Sequence, residues 1–245
     1  MKKQLTLVLV LFIALWTGAA FAVTIPVTLT VMAGDGSVFV FDELQGSIEG
    51  DNFFGQGSVE GDQFRVDWTV QGDLDPNTTW LLGVTNFAPV PLPFIIIANT
   101  ITGVFVPPNR SSGSIGVTIS DSDSTGASFT STGPNPVYTA LIDGAPYGAP
   151  TLLNWPYSLV APVDGSATSV AASFGLPGTI CPTPGIVATM GILNQFTLSG
   201  NADVVGITEN IRVLHAVPEP ATMTLIGLGL TGLVGRSLRR RAKRA

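Results

Sequence analysis

The sequence predicts an all-β protein: an antiparallel β-sandwich, jelly-roll-like or immunoglobulin-like, held between two ends of different character. Three observations predict it. Apolar residues in the middle of the chain recur at every second position, turn-forming residues punctuate these runs, and no stretch of the middle carries an apolar stripe at helical spacing.

The strands follow in order. Ile25, Val27, Leu29 and Val31 alternate with Pro26, Thr28 and Thr30. Phe64, Val66, Trp68 and Val70 alternate with Arg65, Asp67 and Thr69, and Ile115, Val117 and Ile119 with Gly116 and Thr118. Phe196 and Leu198 open a last such stretch and Ile211 and Val213 close it. A period of two puts one side of each strand in a core and the other in water. Ile95-Ile96-Ile97 is continuous instead and reads as a strand buried on both faces. Gly34-Asp35-Gly36, Asp75-Pro76-Asn77, Pro107-Pro108-Asn109, Asp143-Gly144 and Asp164-Gly165 supply the turns. The Pro- and Gly-rich stretch from Gly133 to Pro150 reads as an exposed loop or as a cover over one sandwich edge.

One repeat stands inside this pattern. Gly46-Ser47-Ile48-Glu49-Gly50-Asp51-Asn52-Phe53 returns 11 residues later as Gly57-Ser58-Val59-Glu60-Gly61-Asp62-Gln63-Phe64. Each copy reads as a strand, a Glu-Gly-Asp turn and a new strand start. A duplicated β-meander explains it. A calcium site built from Glu49, Asp51, Glu60 and Asp62 is the alternative, and it requires the two turns to converge, because Ca²⁺ takes about six to eight oxygens. Asp121 and Asp123 resemble the start of a calcium loop but lack the rest of its twelve-residue pattern. Calcium is therefore the one candidate cofactor. Trp80, Tyr138, Tyr147, Trp155 and Tyr157 are candidates for an aromatic sugar platform, against the commoner role of such rings as core.

Charge divides the chain. The 245 residues carry a formal net charge of −6, but eight of the 11 cations lie in the two ends. Between Val23 and Val217 only Arg65, Arg110 and Arg212 face 16 acids, a net of −13. Such a surface repels nucleic acid and anionic headgroups. Catalytic parts are scarce. The single histidine, His215, sits beside the C-terminal segment, and the single cysteine, Cys181, has no His or Cys near it in sequence and cannot form an internal disulfide. Serine, cysteine and histidine-metal chemistry are thereby disfavoured. A two-carboxylate glycosidase, with Glu43, Glu49 and Glu60 as its candidates, would need an opposed pair about 5–10 Å apart. The expectation is a protein that is not an enzyme.

The ends carry addresses. Lys2 and Lys3 precede an apolar run from Leu5 to Leu15, and Ala20-Phe21-Ala22 supplies the small-x-small pattern that signal peptidase cuts after. At the other end Val217-Pro218-Glu219-Pro220 breaks regular structure. An uncharged run of 15 residues, Ala221–Gly235, follows, and Arg236, Arg239, Arg240, Arg241, Lys243 and Arg244 close the chain. The run is short against the ~20 residues of a membrane-spanning helix. The basic end marks the cytoplasmic side, which puts the acidic middle outside. The expected organisation is a signal peptide at 1–22, an acidic β-sandwich ectodomain at 23–217 and a sorting segment at 218–245 with a short transmembrane helix.

The Val217-Pro218-Glu219-Pro220-Ala221-Thr222 motif, the Leu/Gly run and Arg239-Arg240-Arg241 together resemble the PEP-CTERM sorting signal of Gram-negative bacteria. The resemblance covers only the last part of the chain. It implies export, brief anchoring in the inner membrane, processing by an exosortase near Pro218-Glu219-Pro220, and a final place at the cell surface or in an extracellular polysaccharide (biofilm) matrix. The tail carries address and fate, not activity. The two ends, the β-rich middle and the shortage of catalytic side chains together lead to the expectation of a structural or adhesive role, with a carbohydrate-binding module, calcium-assisted or not, or a carboxylate glycosidase as the alternatives.

Overall fold

The computed structural model describes residues 23–73, 77–105, 109–175, 182–183 and 187–215. The expected signal peptide with Ala20 and Ala22, Cys181, and the sorting segment from Val217 to Lys243 and Arg244 lie outside the described residues.

Alternating apolar positions demand two sheets facing each other, and that is what the chain builds. Sheet A has the order β1 (Val23–Ile25), β4 (Leu44–Glu49), β5 (Asn52–Glu60), β6 (Phe64–Asp73), β7 (Asn77–Asn86), β18 (Asp203–His215) and β9 (Asn109–Ser120). The short strands β14 (Ser166–Thr168), β15 (Ala172–Phe174) and β16 (Pro182–Thr183) pair one after another with β9. Sheet B has the order β12 (Ala145–Leu152), β11 (Tyr138–Ile142), β17 (Val187–Leu198), β8 (Leu92–Phe105), β2 (Val27–Ala33) and β3 (Val38–Phe41). In it β10 (Ala127–Ser131) joins β17 to β13 (Ser158–Ala161). The pairings are antiparallel, and no described residue is helical.

The repeat forms the meander it predicts: β4, a turn at Gly50–Asp51, β5, a second turn, then β6. Two other expectations are corrected. Ile96 is buried, but Ile95 and Ile97 are only half-buried and point out of sheet B, so β8 is covered on one face. The Gly133–Pro150 stretch is not a loop but holds β11 and most of β12, a hairpin at the edge of sheet B. An edge strand tolerates Pro146 because proline's missing N–H falls where no neighbouring strand asks for it.

The core lies between the sheets. A relay of rings crosses it: Phe39 to Phe64 at 5.9 Å, Phe64 to Phe94 at 5.6 Å, Phe94 to Phe196 at 5.5 Å and Phe196 to Phe129 at 4.9 Å. Successive rings alternate between strands of the two sheets or sit on neighbouring strands of sheet B, so each locks the packing of the next. Burial of one such ring contributes about 1.5–3 kcal/mol. Polar bridges also cross the core: Thr78 donates to Thr100 at 3.0 Å, and the Tyr138 hydroxyl donates to the Asn210 carbonyl at 3.1 Å.

Candidate functional site

The first candidate is a cleft of about 370 Å³ at one end of sheet A. The meander builds it. Strand register aligns Glu49, Asn52, Asp73, Asn77 and Arg212 in one row across β4, β5, β6, β7 and β18. The next outward row is Ser47, Phe54, Gln71, Thr79 and Asn210. The cleft sits between these rows, with Gly72 in its lining. Gly72 stands in the inward phase of Trp68 and Val70, and a Cβ there would lie 2.5 Å from the Asn77 carbonyl oxygen and 2.6 Å from the Phe53 ring, so only glycine admits the close packing beneath the cleft. Asn210 fixes the far wall by donating to the Asn77 side-chain oxygen at 2.8 Å and to the Thr79 hydroxyl at 3.2 Å. The Phe54 ring is 41% exposed in this otherwise polar place. Amides, hydroxyls and carboxylates beside an exposed ring can both donate to and accept from a polyhydroxylated ligand. The cleft also lies at the end of the sandwich where β18 runs out at His215.

The second candidate is a loop cluster on the opposite end of β18. Asp121 and Asp123, from the turn after β9, meet Asp203, from the start of β18, with carboxylate oxygens within 4.8 Å of one another. Backbone donors bind them: Asp164 N to Asp121 at 2.6 Å, Asp123 N to Asp121 at 3.3 Å, Thr125 N to Asp123 at 2.9 Å and Ser122 N to Asp203 at 3.3 Å. The hydroxyls of Thr125 and Ser199 donate to Asp123 and Asp203. Desolvation works against the charged form of Asp121, but the N–H groups of Asp164, Asp123 and Gly126 outweigh it and hold its carboxyl below the usual range. Asp203 goes the other way: desolvation raises it, the Ser199 and Ser122 bonds pull it back, and the charges of Asp123 and Asp121 push it up again. The all-oxygen donor set suits a hard cation such as Ca²⁺. The same oxygens also serve as a clamp that ties three turns together without an ion.

The sequence-derived candidates are scattered differently from expectation. Glu49 and Asp51 lie at one end of β5, Glu60 and Asp62 at the other, about 27 Å apart at ~3.4 Å per residue. Strand β5 itself separates the two acidic turns, so the four carboxylates do not converge. Glu43 lines a separate apolar groove of about 490 Å³ with Ile25, Ile48 and Ile101, away from Glu60. The aromatic platform is likewise dispersed. Trp80 and Tyr138 are 1% and 0% exposed and belong to the core, and Tyr157 packs edge-on against Phe129 at 6.2 Å. Of these five candidates, Trp155 is exposed, and the Tyr147 side chain lies outside the description. Asp121 and Asp123 do share a site, and Asp203 joins them from a position 80 residues further on.

One buried acid was missed. Glu209 is fully buried between the sheets, where the Asn194 amide of β17 donates to its Oε1 at 3.0 Å. Desolvation, only partly offset by Asn194, pushes its pKa up to about 8. It holds the inward phase of Val205, Ile207, Ile211 and Val213, which was the signal that could have found it.

Comparisons with known proteins bear on the end of the chain. Residues 216–241 match the PEP-CTERM protein-sorting motif. The fold and this motif together define an exported β-sandwich protein. The chain bears a membrane-anchoring, exosortase-directed sorting signal at its C-terminus. No curated protein matches the chain. Among solved structures it is similar to a family 11 carbohydrate-binding module from Clostridium thermocellum in complex with a β-1,3-1,4-mixed-linked tetrasaccharide. The identity is 12%, over 68% of this chain and 91% of that one, with a TM-score of 0.24. It is also similar to the VP2 subviral particle of infectious bursal disease virus, at 11% identity over 86% of this chain and 85% of that one, with a TM-score of 0.10. Likeness at these TM-scores carries no argument about fold or ligand.

Proposed function

We propose that the sandwich is a non-catalytic, adhesive component of an extracellular polysaccharide matrix, and that the cleft at the end of the meander grips a neutral glycan. The observation that carries this reading is the lining: Ser47, Asn52, Gln71, Asn77 and Thr79 around the exposed Phe54 ring, with Glu49 and Asp73 at the rim. Pyranose hydroxyls pair with amides and carboxylates, and the C–H face of the sugar packs on an aromatic ring. A net charge of −13 disfavours acidic sugars and leaves neutral or basic ones. After sorting, the cleft sits at the processed end of the molecule, and adhesion there would hold the released protein in the matrix. Affinity electrophoresis through gels that contain neutral polysaccharides tests the reading. The protein should be retarded by at least one of them and Phe54→Ala should run freely. Equal mobility of both in every gel would sink it.

A second reading is favoured by the convergence of Asp121, Asp123 and Asp203: Ca²⁺ strengthens the loops at the opposite end of the sandwich. A melting temperature that rises in millimolar calcium and returns with chelator supports it. Indifference to both removes it.

A further inference from the structure

We propose that the outer face of sheet B is a self-association surface, on which a second copy of this chain packs sheet against sheet. The proposal is independent of the glycan reading, because it concerns the other side of the sandwich. The outward phase of β2, β8 and β17 presents Met32, Ile95, Ile97 and Leu193, all only half-buried. Register puts Ile97 between Thr30 and Leu193, and Met32 between Ile95 and Val38, so these side chains form one continuous patch. At the edge, Val38 and Val40 extend it and are 59% and 58% exposed. A contiguous aliphatic patch of this kind is what monomeric proteins avoid and interfaces use.

Charge selects the occupant. None of the eight strands of sheet B contains Asp, Glu, Lys, Arg or His, whereas the domain as a whole carries a net charge of −13. Two such domains repel each other in most orientations. Approach through sheet B keeps the acids of sheet A behind an inter-sheet spacing of ~10 Å on each side, beyond the Debye length of ~8 Å at physiological salt. Asp35, Asp42 and Asp143, in turns at the ends of sheet B strands, come near the rim, and the exposed Asp42 follows Val38 and Val40 in their phase. The patch is aliphatic and lacks the exposed ring that a sugar would use. Aliphatic side chains on a twisted sheet interdigitate with those of a second sheet, and a two-fold axis makes the contact self-complementary.

Sedimentation equilibrium of the exported, processed protein tests the proposal. The protein should associate, and added salt should strengthen the association by screening the rim acids. Ile97→Glu should weaken it by at least about tenfold in Kd. Thr208→Glu, the same charge on the outer face of sheet A, should leave it intact. Should Ile97→Glu lower the melting temperature, the more exposed Val40→Glu replaces it as the probe. A monomer at all concentrations and salts overturns the proposal, as does association that survives Val40→Glu with the fold intact, or association seen only when polysaccharide is added.

Discussion

The two sheets of this sandwich share a core but meet water with different chemistry. On its strands sheet A turns Glu49, Glu60, Arg65, Asp67, Asp73, Arg110 and Arg212 outward and buries Asp203 and Glu209, while the strands of sheet B carry no charged side chain. The inner faces are alike, with Phe64, Trp80 and Ile115 on one side and Phe94, Ile96 and Phe196 on the other. A shared core makes one cooperative unit, and divergent outer faces allow two separate surfaces: a polar cleft on sheet A and an aliphatic patch on sheet B. The comparison teaches that in a strand-built domain the fold and the contacts are written in opposite phases of the same alternating pattern.

The comparison breaks first if the inner faces are not equivalent. Trp80→Ala in sheet A and Phe94→Ala in sheet B should each cost about 3–5 kcal/mol in denaturant unfolding, since both are almost wholly buried. Trp155→Ala, at a site 57% exposed, should change stability by no more than about 0.5 kcal/mol. A large effect at Trp155 with a small one at Trp80 would reverse the assignment of core and surface.

Next in size is the one acid that sheet A turns fully into the core. The folded pKa of Glu209 is raised to about 8 from 4.5, so the folded protein holds a proton that the unfolded chain releases. Its contribution is fully present below pH 4.5 and is lost as pH rises through about 8, a fall of several kcal/mol by linkage. Melting temperature measured across that range should decline with pH. Glu209→Gln should flatten the decline and be the more stable protein at the alkaline end. An unchanged slope in the variant would assign the pH dependence to other groups.

A smaller effect belongs to the loop cluster. Asp203→Asn should abolish any calcium-dependent rise in melting temperature, a rise worth about 2.7 kcal/mol when calcium stands at a hundred times its Kd. Smallest of all is the exposed ion pair on sheet A. Arg65 meets Asp67 at 2.7 Å with both side chains nearly half exposed, so water and salt screen the pair and Arg65→Ala should leave the melting temperature almost unchanged.

Much of the fold could be read in the sequence because burial on one face imposes a period of two. The repeat at Gly46 and Gly57 gave the β4–β5–β6 meander, since its members are neighbours in both sequence and sheet. The pairing of β18 with β9 and β7, or of β8 with β17, could not be read, because no local pattern encodes which distant strand is the partner. Trp80 shows how phase outranks residue type: it stands in step with Leu82 and Val84 and goes into the core, although its indole suggested a sugar platform. Asp121 and Asp123 were visible as a turn pair, but Asp203 reaches them only through tertiary structure. The cleft was invisible for the same reason, as its walls come from four strands.

The central claim is that this exported protein holds to its matrix through the cleft on sheet A. The most direct measurement is the fraction of the processed protein that stays with the extracellular matrix of its native host, compared with the fraction free in the medium. The account predicts that Phe54→Ala combined with Gln71→Ala is exported and processed like the parent but moves largely into the medium. A double variant that is processed normally and stays in the matrix to the same extent as the parent would contradict it.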